Sequence, residues 1–169
     1  MIYSIIKFPD PVLARVAEPV TVFDDALATL IDDMFTSMVA AEGIGLAAPQ
    51  IGVSKRIAIV DTSLGKDPKE KVVLINPAIV TREGKQTEEE GCLSLPEIRD
   101  KVSRAYSVRV RAQDVDGRWF EIDGEDLMSR AFQHELDHLD GVLFIDRVSR
   151  LKKDLILRKI RKLQKNGEW

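Results

Sequence analysis

The chain contains only two histidines, and they stand four residues apart in the run His134-Glu135-Leu136-Asp137-His138. On a helix that spacing puts both imidazoles on one face, where they can reach a single cation while Glu135 stands beside the water such a cation holds. The surrounding pattern agrees with a helix. Residues 126–139 read as one, closed by Gly141, with Leu127, Ala131, His134, Glu135 and His138 turned inward. A metal site built on histidine must use both of them. The plain alternative is a helix surface with ordinary charged neighbours.

Two protein ligands are too few, because a catalytic site of the zinc type takes three and leaves the fourth position open. The metzincin pattern would place a third His at 144, where the chain has Phe144. Thermolysin-like enzymes take a Glu from a following helix, yet the sole Glu after His138 is Glu168. The remaining candidate lies upstream in Glu90-Gly91-Cys92-Leu93-Ser94, which holds the chain's one cysteine. A lone cysteine is as a rule a buried hydrophobe, and that reading stays open here; as a thiolate it would complete a His-His-Cys set. A third segment, Gly43-Ile44-Gly45-Leu46-Ala47-Ala48-Pro49-Gln50, joins glycines that let main chain approach a ligand to an amide able to donate to an oxyanion. Loops of this composition also simply close helices.

With 169 residues, no repeat and no linker-like stretch, positions 1–169 read as one domain. A single cysteine excludes an intramolecular disulfide. The apolar opening at 2–6 meets Lys7, Pro9 and Pro11 too soon for a signal segment or membrane span, so reducing cytosol is the expected compartment. Leu27, Leu30, Ile31, Met34, Phe35 and Met38 form the stripe of a first helix, starting at Asp24 or Asp25 and stopped by Gly43. Strands are expected at 56–60, at 72–75, through Val108, Val110 and Ala112, and, after an Asp116-Gly117 hairpin turn, at 119–122. Leu151, Leu155, Ile156, Ile160 and Leu163 recur at helical spacing in a last, basic helix at 149–169. The fold class is therefore α+β, with mixed or antiparallel sheets packed around the central histidine-bearing helix.

The formal net charge of −3 conceals an asymmetry, since nine Lys/Arg and two acids from Arg147 onward give that segment +7 and leave −10 for the rest. Such a segment is usually a solvated helix face, and docking onto nucleic-acid phosphates is the sharper alternative.

Taken together, the three segments resemble the peptide deformylases, specifically the bacterial class with a C-terminal helix. The family motifs G-I-G-L-A-A-x-Q, E-G-C-L-S and Q-H-E-x-D-H are matched at 43–50, 90–94 and 133–138 without a substitution. The likeness runs from Asp10-Pro11-Val12-Leu13 to the basic last helix. It implies removal of formate from the N-formyl-methionine of newly made polypeptides by a metal on Cys92, His134 and His138. Iron(II) is the favoured ion, with Zn²⁺, Ni²⁺ or Co²⁺ as replacements. Hydroxide on the metal attacks the formyl carbon, with Glu135 as general base and then acid. By the same likeness Gln50 and the Leu93 N–H stabilise the oxyanion, and Ile44, Gly45 and Gly91 hold the peptide through main-chain groups. The methionine side chain enters a pocket of Ile44, Leu93, Leu127, Ala131 and the His134 ring. Two polar residues near it have two readings each: Arg99 faces the peptide further on or is a solvated turn residue, and Glu90 pairs with Arg104 to anchor the Cys92 loop or lies exposed on the surface. The last helix is expected to meet the ribosome, with no membrane and no sequence-specific nucleic acid as partners.

Two other readings compete. A metallopeptidase would share the histidine run, but a thiolate ligand is atypical there. A non-catalytic protein with a structural metal and an RNA-binding helix would need a closed site of four ligands, against three here with Glu135 beside an open position.

Overall fold

A computed structural model describes residues 1–169. The first helix, α1 (Asp25–Ala40), is opened by the Asp24 side chain, which accepts a hydrogen bond from the Leu27 N–H at 3.0 Å. It buries Leu27, Ile31, Met34, Phe35 and Met38 of the apolar stripe, with Leu30 half-buried beside them. Its stop differs from the expectation. Glu42, with φ 59°, takes the left-handed position, and Gly43 instead leaves room for Leu93: a Cβ there would stand 2.8 Å from Leu93 Cδ1 and push that methyl aside.

Five strands make one antiparallel sheet in the order β1-β2-β3-β6-β7, comprising β1 (Gly45–Ala47), β2 (Ile57–Val60), β3 (Val72–Glu83), β6 (Ser107–Gln113) and β7 (Trp119–Glu125). β2 is buried throughout because each of its faces meets a different layer. Ile57 and Ile59 join the α1 cluster; Ala58 and Val60 join the cluster around Phe132, Leu136 and Leu139 of α2 (Leu127–Leu139). β3 runs eight residues past the expected 72–75, through irregularities in its pairing with β6 near Asn76 and Pro77. A proline that cannot donate to the ladder is tolerated at such a bulge.

A hairpin of β4 (Gln86–Cys92) and β5 (Leu95–Arg104) forms a second sheet, absent from the sequence expectations. Its pairs step from Gly91↔Arg99 to Cys92↔Leu95, so residues 96–98 bulge out, with Glu97 at φ 65°. The bulge lets Leu95 and Ile98, three apart, both enter the core. There they meet Leu143, Phe144 and Ile145 and the residues Ile156 and Ile160 of α3 (Arg150–Lys165). α2 contacts both the large sheet and β5, which sets its histidines against the end of the hairpin.

Two expected apolar positions of α3, Leu151 and Leu155, are 70% and 54% exposed; only Ile156 and Ile160 are buried on that helix. The basic helix thus touches the body along a narrow line. No helix is long and apolar enough to cross a membrane.

Candidate metal centre

Three side chains from two elements converge on one point. Cys92 ends β4, and His134 and His138 lie one turn apart on α2, with ring centroids 5.1 Å apart. Their donor atoms all fall within 4.8 Å of one another, with Cys92 Sγ 3.4 Å from His138 Nε2. The set combines one soft thiolate with two imidazoles, a chemistry suited to zinc, iron(II), nickel or cobalt.

His134 is held from behind. Its Nδ1 lies 2.9 Å from Glu90 Oε1, and Glu90 in turn accepts from Arg104 Nε at 2.9 Å and Nη2 at 3.0 Å. Burial alone would raise the Glu90 carboxyl, but hydrogen bonds from His134 and Arg104 and the guanidinium charge outweigh it and hold the pKa at about 2. Glu90 is therefore an anion at neutral pH, and Nδ1 of His134 carries the proton and donates. That leaves Nε2 as the ligating atom, the arrangement in which a carboxylate fixes the tautomer of a metal-binding histidine. Burial also opposes charge on His134, yet its hydrogen bonds to Cys92 and Glu90 raise its pKa; His138, with burial and the His134 and Arg104 charges all acting one way, is pushed down.

Glu135 is buried, and burial pushes its carboxyl up to about 7. Its Oε2 has no partner, and neither does Nδ1 of His138. An orphaned buried carboxyl oxygen beside a cysteine sulfur and two imidazoles is the environment a cation would complete, so the residues present fit a metal. Gly45 makes room for Glu135, because a Cβ there would lie 2.5 Å from Oε1.

The donors expected to face an oxyanion sit beside Cys92. Gln50 is buried; its Oε1 accepts from the Ala47 N–H at 2.9 Å, and its Nε2 donates to Ser94 Oγ at 3.1 Å with Cys92 Sγ at 3.6 Å. Leu93 occupies the turn between β4 and β5. A cleft of about 460 Å³ opens over these groups, and Ile44, Gly45, Gly91, Leu93, Ala131 and His134 all line it. One of the expected residues stands differently. Leu127 lines the cleft but is 47% exposed, a rim residue rather than an inward one, because it begins α2 at the cleft mouth. Arg99 is exposed at the same mouth, 3.6 Å from Glu89.

The Glu90–Arg104 pair forms as expected, whereas the Glu90–His134 bond and the Ser94 support of Gln50 went unread. An acid two positions before the only cysteine was the available signal for the first, and the place of Ser94 at the end of the E-G-C-L-S motif was the signal for the second.

This fold and donor set define a metal-dependent hydrolase of the kind that carries its base between two helix-borne histidines. The chain belongs to the polypeptide deformylase family, whose model matches residues 2–154. A peptide deformylase of Acidobacterium capsulatum is 66% identical over 169 residues, covering all of this chain and 99% of the relative; one of Heliobacterium modesticaldum is 52% identical over 147 residues, 87% and 94% of the two. The crystal structure of a peptide deformylase from Legionella pneumophila superposes with a TM-score of 0.91 at 47% identity, over 99% of this chain and 98% of that one.

Proposed function

We propose that this chain, read as one domain over 1–169, hydrolyses the formyl group from N-formyl-methionine at the start of newly made polypeptides, with Cys92, His134 and His138 as metal ligands and Glu135 as base and acid. The observation that carries this assignment of roles is the convergence of the three donor atoms within 4.8 Å beside a buried, unpartnered carboxylate oxygen. A bound divalent ion supplies Lewis acidity and makes water nucleophilic near neutral pH. We favour iron(II) as that ion, with Zn²⁺, Ni²⁺ or Co²⁺ able to replace it.

Glu135 accepts a proton from water as its oxygen attacks the formyl carbon, then delivers that proton to the amine nitrogen as the C–N bond breaks and formate departs. Burial works against a permanent charge on Glu135, which suits a carboxyl that must both take up and return a proton. Gln50 Nε2 and the Leu93 N–H are the donors for the developing oxyanion. β1 is an edge strand, so Ile44 and Gly45 offer main-chain groups to an extended peptide, with Gly91 across the cleft. The methionine side chain lies against Ile44, Leu93, Leu127, Ala131 and the His134 ring, and Arg99 meets residues further along. The substrate implies action in the cytoplasm, and the cationic face of α3 is suited to ribosomal RNA.

Mass analysis of formyl-Met-Ala-Ser incubated with anaerobically prepared protein tests the reading. Formate and intact Met-Ala-Ser are expected; cleavage of the Met-Ala bond would mark a peptidase, and unchanged substrate would reject both.

A further inference from the structure

Asp137 lies within the histidine run but is not one of the three donors that converge on the metal position. It has another set of partners. Its Oδ2 lies 2.6 Å from Arg104 Nη1, and Arg147 reaches it twice, with Nη2 at 2.8 Å from Oδ1 and Nε at 3.2 Å from Oδ2. Arg104 has a side chain only 4% exposed, and it turns the other edge of its guanidinium to Glu90, whose Oε1 also accepts from His134 Nδ1. A guanidinium is a rigid plane with donors at fixed angles. Anchoring Nη1 therefore sets the plane in which Nε and Nη2 meet Glu90, and through it the acceptor that aims the His134 ring.

We propose that Asp137 is a positioning residue for the metal centre, acting through Arg104 and Glu90 on His134 and tied by Arg147 to the segment that leads into α3. This rests on the reading of Cys92, His134 and His138 as metal ligands. Without Asp137 the buried Nη1 of Arg104 loses its acceptor, and the guanidinium retilts to find another. Glu90 has a further cation within reach, since Arg130 Nη1 lies 3.5 Å from Oε2, so the carboxylate follows whichever partner dominates. Both movements turn the His134 ring away from the direction that Cys92 and His138 share. The alternative role for Asp137 is a staple that joins α2 to the start of the tail and affects stability alone.

Cobalt(II) titration of the full chain, prepared metal-free and anaerobically, separates the two. The readouts are affinity and the visible d–d and sulfur charge-transfer bands, with urea unfolding measured alongside. Asp137→Asn keeps the shape, removes the charge and leaves one acceptor oxygen where three guanidinium N–H donors now share two; it is expected to weaken cobalt binding about 10-fold, within the range found when outer partners of ligating histidines are removed, and to shift the d–d bands. Because Asp137 acts through Glu90, adding Asp137→Asn to Glu90→Gln should weaken binding by no more than about twofold beyond Glu90→Gln alone. Arg147→Gln, at a half-exposed side chain outside the core, should move the same bands in the same direction by less and serves if Asp137→Asn does not fold. Wild-type affinity and bands in Asp137→Asn or in a folded Arg147→Gln, or additive losses in the double variant, would overturn the proposal. Failure of the wild-type chain to bind one cobalt would instead overturn the ligand assignment beneath it.

Discussion

Replacing Gly45 by alanine tests how closely the reacting carboxylate is held. A Cβ at position 45 would lie 2.5 Å from Glu135 Oε1, 2.9 Å from Cδ and 3.0 Å from Cγ. Non-bonded heavy atoms settle at about 3.5 Å, so one partner must retreat by about 1 Å. The strand has little freedom to do so, because Leu46 and Ala47 beside it are fully buried and β1 is paired with β2 through Gly45↔Val60. Glu135 yields instead. A misplacement of that size costs about 10²-fold in turnover, and overpacking adds a destabilisation of about 1–3 kcal/mol. The assay is formate release from a formyl-Met peptide under anaerobic conditions, with metal content and urea midpoint measured on the same preparation. Turnover should fall by about 10²-fold while metal stays at the wild-type level, since no ligand is touched. Activity within threefold of wild type would refute the argument, and so would loss of metal, which would move the effect from the carboxylate to the ligands.

Glu135→Gln preserves shape and removes the base, so turnover should drop by at least about 10²-fold with metal content unchanged; a metal-replete, active variant would reject the role. The Glu90 carboxyl titrates at about 2 in the fold against 4.5 in a free chain, so its stabilisation is complete above pH 4.5 and is lost as pH falls from 4.5 towards 2. In metal-free protein this amounts to about 3 kcal/mol, and Glu90→Gln should flatten the acid limb of the stability curve; an unchanged limb would place the titration elsewhere. Replacing Lys159, Arg161, Lys162 and Lys165 by Gln should reduce salt-sensitive co-sedimentation with ribosomes while leaving hydrolysis of a short peptide intact, and unchanged co-sedimentation at low salt would reject a ribosomal role for α3.

How far the sequence could be read differs by element for physical reasons. α1 and α2 carried apolar residues at 3.6-residue spacing and obvious start or stop residues, so their existence and buried faces were legible. The β4–β5 hairpin was not. Gln86-Thr87-Glu88-Glu89-Glu90 has neither the composition nor the alternation of a strand, and the bulge at 96–98 breaks the period on its partner. Those residues become strands because they pair with β5, which packs Leu95, Ile98 and Val102 into a cluster with Phe144, Ile145, Ile156 and Ile160, and that is a tertiary cause. Leu127 and Leu151 show the reverse error: each satisfies the helical pattern, yet each sits in the first turn of its helix, where the packed layer does not extend. At the candidate site, His134, His138 and Glu135 were legible from spacing, and Cys92 from elimination followed by family likeness. The bond that orients His134 needed the fold, because it joins residues 44 positions apart.

The central claim, that a thiolate and two histidines together hold the metal for formamide hydrolysis, is tested most directly by metal per chain and formate released per chain in wild type and Cys92→Ala, prepared side by side without oxygen. Close to one metal ion per wild-type chain with rapid formate release is expected, against little metal and little formate in Cys92→Ala. A metal-replete, active Cys92→Ala protein would contradict the claim and return Cys92 to the status of a buried apolar side chain.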